Sequence, residues 1–258
     1  MASDDEKGGA APQERVDVKA RYAHAKELSA AGSLDEAAAE YVWLWQNIFP
    51  QEPSLVGVRV SFMAMEMQAV ARRHPSARER FLALRDELTP LVDAGAATPT
   101  QLGDWVVLCD VVDENARVLE WFDRMGPSAS PIHAKSIELR LSRLLRAEGR
   151  WADMGRLYPD PLRQLRDQTQ MVDRLPGLTA QRPEHAAQMR ANIEQHVVAE
   201  LSALHAALRA AGRDSEAQAV LEEARKLMSG EQLEIAIADA LKAAGVDATP
   251  GVHGGGPP

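Results

Sequence analysis

The chain has 258 residues, 45% of them hydrophobic and 5% aromatic, and a formal net charge of −9. That apolar content is enough for a sizeable core, and abundant alanine and leucine with few β-branched runs favours helix over sheet. The acidic balance disfavours a nucleic-acid backbone or an anionic membrane surface as partner, no apolar stretch reaches the ~18 residues of a membrane span, and the first nine residues lack the basic and apolar regions of a secretory leader. A soluble, cytoplasmic protein is expected.

Residues 1–13 and 246–258 are polar or Gly/Pro-rich and can bury almost nothing, so both are expected to be disordered tails around a helical domain over 14–245. Inside it, apolar residues recur at helical spacing: Val18, Tyr22, Ala25 and Leu28, then Leu34, Ala37, Tyr41, Leu44 and Ile48, with a turn at Gly32-Ser33. Val56 to Phe62 alternates like a strand but runs without a turn residue into the good helix formers Met63 to Val70, and a helix is expected there. Further stripes are Phe81, Leu84 and Leu88; Leu102, Trp105, Cys109 and Val112; and Ile137, Leu141 and Leu144. The last three are Val197, Leu201, Leu204 and Leu208; Ala217, Leu221 and Ala224; and Leu233, Ile237 and Leu241. The chain should kink or break at Pro90 and again at Pro159 with Pro161. Four helix-start boxes are predicted, at Ser33 with Glu36, Ser76 with Glu79, Thr98 with Gln101, and Ser229 with Gln232.

No residue set has the spacing of a catalytic, cofactor or metal site. The single cysteine, Cys109, sits in an apolar run and reads as a buried thiol. Of the seven histidines only His185 and His196 can share a helix face, and two further zinc ligands are not placed near them. A glycine-rich phosphate loop and a nucleophile elbow are both missing.

The tryptophans and the charge pattern are more informative. Trp43 lies off the stripe of Tyr41 and Leu44 and is the candidate exposed aromatic anchor. Nine acids from Asp86 to Asp123 stand against Arg117 and Arg124, whereas Arg140, Arg143 and Arg150 line one basic helix face. Trp43, Arg140, Arg143 and Arg150 are therefore the candidate partner-binding residues, the two charged surfaces reading as solvated helix faces or as steering elements.

Three segments carry a repeat-like pattern. Ala20 to Pro50 has Ala25, Leu28, Gly32, Ala37, Tyr41 and Pro50; Val197 to Met228 has Leu201, Leu204, Leu208, Gly212, Ala217, Leu221 and Ala224; Ile137 to Pro161 has Leu141, Leu145, Gly149, Trp151 and Tyr158. This pattern resembles the tetratricopeptide repeat, a pair of helices with small residues where they touch and a glycine turn between them. Met154 stands where the family has alanine, and His205 where it has a small residue. The resemblance implies an all-α fold, a right-handed superhelical stack of antiparallel helix pairs with about 10–12 helices, working as a scaffold or adaptor that binds a peptide or folded protein partner without a cofactor. The alternatives are an enzyme or regulatory subunit with a pocket in the groove, or a homo-oligomer joined through Trp43 or the Met63, Met65, Met67 region.

Overall fold

The computed structural model describes residues 17–125, 131–173, 177, 183–227 and 231–246. The expected tails, apart from Val246, and Ser229 of the Ser229 box lie outside them. Every described element is a helix or helical turn, and no strand occurs among the described residues. The elements are α1 (Val18–Ala31), α2 (Leu34–Gln51), α3 (Val56–Val58), a π segment (Arg59–Met63), α4 (Ala64–Arg73), α5 (Pro75–Asp93), α6 (Pro99–Val111), α7 (Asn115–Met125), α8 (Pro131–Ala147), α9 (Trp151–Arg156), α10 (Pro161–Asp173), α11 (Ala186–Ala210), α12 (Asp214–Leu227) and α13 (Glu231–Ala243). They fall into two compact units that divide within α7, between Arg117 and Val118.

In the first unit α1 packs on α2, α2 on α5, and α4 on both α5 and α6. The core they share is aromatic and aliphatic: Tyr41, Leu44, Ile48, Met63, Met67, Val70, Phe81 and Leu108 are fully buried. In the second unit α8 packs on α9, α9 on α11, and α11 on α12 and α13. There the backbones come very close, because a Cβ added to Gly155 would lie 2.2 Å from the Ala207 carbonyl oxygen. The Arg213 guanidinium then donates to the carbonyls of Gly155 and Tyr158, both at 2.7 Å, and so satisfies acceptors that the end of α9 leaves open.

The helix pairs turn in one repeated way. After α1, α8 and α11 a glycine takes a left-handed conformation (Gly32, Gly149, Gly212), and the following N–H reaches back to the carbonyl five residues earlier, as from Arg213 to Leu208 at 2.9 Å. The turn between α6 and α7 closes identically but has no glycine: Asp113 stands there at φ 57°, and Glu114 N–H donates to the Cys109 carbonyl at 2.8 Å. Aspartate is one of the few other residues that tolerate this region.

The helix-start expectations divide on backbone geometry. Thr98, at ψ 161°, caps α6 with Gln101 in a reciprocal box. Ser33 stands at ψ 65°, forced there by the Gly32 turn, and its side chain makes no cap bond. Ser76 is not a cap either: Pro75 opens α5 one residue earlier, His74 is its N-cap, and the Ser76 hydroxyl donates to Asp35 at 3.0 Å. Pro90 does not break α5. It lies in the last turn and leaves without a helical donor only the carbonyl of Asp86, an exposed residue. Pro159 and Pro161 do separate α9 from α10. The alternating segment Val56 to Phe62 is helical, with its π portion giving one wider turn in which Arg59 and Met63 are buried.

Candidate functional site

Trp43 is half-buried against the first unit's core, with the Arg21 guanidinium stacked 3.8 Å from its ring centre; Arg21 is in turn held by Glu40. One face of the anchor proposed from sequence is thus already engaged within the chain. Arg140 and Arg143 stand on α8, Arg143 exposed. Arg150 does not extend their face, because the left-handed Gly149 ends the helix first and puts Arg150 at the N-cap of α9. There it binds Asp123 (3.1 and 2.5 Å) and Asp153 (2.9 and 2.7 Å).

The acidic run is also engaged. In the first unit its carboxylates are met by arginines from earlier in the chain: Asp104 by Arg59 at 2.6 and 2.8 Å, Asp113 by Arg72 at 2.8 and 2.7 Å, and Glu114 by Arg78 at 3.0 Å and Arg85 at 2.6 Å. Hydrogen bonds from Arg72 and Arg85 hold the Asp113 and Glu114 carboxyls below their usual range. These acids are cross-helix ties, and counting charge along the chain hides this. Burial, meanwhile, pushes the Cys109 thiol up to about 12.

The exposed apolar surface lies elsewhere. Phe62 is 65% exposed and Met65 67%, one turn apart at the junction of the π segment and α4, while Met63, Met67 and Val70 on the other side of the same rod are fully buried. Val58, half-buried, and exposed Ala69 extend the stripe at spacings of four, three and four residues. Beside it, Glu66 accepts from the buried Tyr41 hydroxyl at 3.2 Å and lies 4.0 Å from the Lys26 ammonium. Burial and this carboxylate raise the proton affinity of Tyr41 and of its neighbour Tyr22. Sequence reading treats Met63, Met65 and Met67 as one region, whereas the helix rotates the middle residue outward.

Two shallow depressions are present among the described residues, about 290 Å3 between Ala39, Val42 and Gln46 of α2 and Arg80, Ala83 and Glu87 of α5, and about 160 Å3 around Pro159, Asp160, Leu162 and Glu216. No histidine lines either one. His185 is exposed beside Glu184, His196 is half-buried and His205 is buried, so these three do not converge. Among the described residues no group of three or more His, Cys, Asp or Glu is arranged to hold a metal ion, and no helix is long and apolar enough to cross a membrane. No protein-family model, no curated protein and no solved structure matches the chain.

Proposed function

We propose that the chain is a protein-interaction module, a scaffold or adaptor, that seats an apolar segment of a protein partner on the stripe led by Phe62 and Met65. The observation that carries this reading is the asymmetry of one helical rod: two large apolar side chains some two-thirds exposed back onto Met63, Met67 and Val70 at 0%. A long apolar side chain left in water loses the burial free energy its neighbours gain, about 1.5–3 kcal/mol for a Phe or Met, and adjacent exposed ones are typical of surfaces covered by a partner. Spacings of four, three and four residues put these side chains on one face of the rod, along which an apolar segment can lie.

The tetratricopeptide-like arrangement is part of the same proposal. Within the first unit the intra-pair turns at Gly32, His74 and Asp113 lie 42 and 39 residues apart, somewhat longer than the family's period of about 34, and stacked pairs of this kind would offer one face for a protein partner. The net charge of −9 argues against a nucleic-acid partner.

The test compares the Phe62→Ser/Met65→Ser double variant of the full chain with Ile235→Ser, which removes a similarly exposed apolar residue (54%) from the second unit. The double variant is expected to keep its helical content and thermal midpoint while losing the partners that the parent and Ile235→Ser retain in affinity capture. Light scattering of the purified proteins separates a foreign partner from a second copy. Equal capture by all three proteins, or loss of capture with Ile235→Ser alone, overturns the reading.

A further inference from the structure

α11, α12 and α13 meet around His205, a residue only 4% exposed whose Nδ1 has no hydrogen-bond partner among the described residues. It occupies a helix–helix contact among the apolar residues these helices bury, including Leu201, Leu208, Leu221 and Ile237. The charged groups that face it are Arg209 of its own helix, Asp214 and Arg225 of α12, and Glu234 of α13. Those four are already joined as Arg209–Asp214 at 2.6 Å and Arg225–Glu234 at 2.7 Å, so the carboxylates are occupied. Of the other helices on α11, α9 brings Asp153 bound to Arg156, and α10 brings Arg163, Arg166 and Asp167 on its exposed side.

We propose that His205 makes this three-helix junction an acid-operated latch: a proton on the buried imidazole creates a charge with no acceptor for Nδ1–H, and α12 and α13 separate from α11 until water supplies one. Burial first, then Arg209 and Arg225, bring the imidazole down to about 4 from an ordinary 6.5. The closed junction therefore holds His205 neutral, while the open one binds a proton as pH falls through 6.5. Stability of the junction is fully present above that value and is lost progressively toward pH 4. Linkage puts the open population at pH 5 about twenty-fold above that at pH 7.

Hydrogen exchange on the full-length protein tests this, with protection factors corrected for the intrinsic pH dependence of exchange. Protection of α12 and α13 is expected to fall at least tenfold or so between pH 7 and pH 5, and His205→Leu is expected to abolish the fall. Unchanged wild-type protection, or an equal fall in His205→Leu, overturns the latch. Should His205→Leu fail to fold, the wild-type imidazole decides by NMR: a midpoint near 4 supports the proposal, and one near the ordinary 6.5 overturns it.

Discussion

Arg59 grips Asp104 through two parallel contacts of 2.6 and 2.8 Å across 45 residues of sequence. The same guanidinium donates through Nε to the Trp45 carbonyl at 2.8 Å and stacks 3.8 Å from the Trp45 ring centre, so one side chain joins α2, the π segment and α6. The wide turn is what brings Arg59 inward, to 5% exposure. Removing the charged partner of an almost buried cation leaves that charge uncompensated away from water. Asp104→Asn is expected to lower the stability of the first unit by about 3 kcal/mol, read from its urea midpoint, and Arg59→Met combined with Asp104→Leu to recover most of it. A single variant no less stable than the parent would show the pair to be incidental.

Asp113 is the one non-glycine residue at positive φ among those described, and its ion pair with Arg72 is largely exposed and so weak. Backbone conformation should therefore dominate substitutions there. Asp113→Gly is expected to match or exceed the parent in thermal midpoint, and Asp113→Ala to lose about 1 kcal/mol or more. Equal midpoints for the two variants would mean that the turn carries no strain.

Glu114 ties Arg78 and the buried Arg85 of α5 to the start of α7, and its folded-state proton affinity lies below the ordinary carboxyl value of 4.5. A depressed carboxylate contributes stability that is present above the unfolded value and lost as pH falls through the folded one. The parent's unfolding midpoint should thus decline below pH 4.5, and Glu114→Gln should be less stable at pH 7 with a flatter decline. Parallel pH profiles would assign the acid sensitivity to other groups.

Gly155 allows α9 to touch α11, and an added methyl would overlap the backbone at Ala207. Because the obstructing atom is a carbonyl oxygen and not a flexible side chain, Gly155→Ala is expected to cost at least about 2 kcal/mol in the second unit, seen in differential hydrogen exchange, while the first unit keeps its protection. Gly177→Ala, with open space around it, is the control.

Features that depend on neighbours within a few residues were legible in the chain. Helix stripes such as Leu102, Trp105 and Cys109 follow from the 3.6-residue period, and the Gly32, Gly149 and Gly212 turns and the Thr98 cap follow from local backbone preference. Local signals can also displace one another: Pro75 opens α5 ahead of the start that Ser76 would mark, and Asp113 takes the left-handed turn position that glycine holds elsewhere. Tertiary structure decided which groups meet across long separations. It set Arg59 against Asp104 of α6 and Arg72, Arg78 and Arg85 against Asp113 and Glu114 of the α6–α7 turn, stacked Arg21 on Trp43, closed α11–α13 over His205, and left Phe62 and Met65 facing outward. The difference is one of range. A helical hydrogen bond spans four residues and is read from the chain beside it, whereas an ion pair or a buried face depends on the rotation of whole helices, which a single inserted residue can turn.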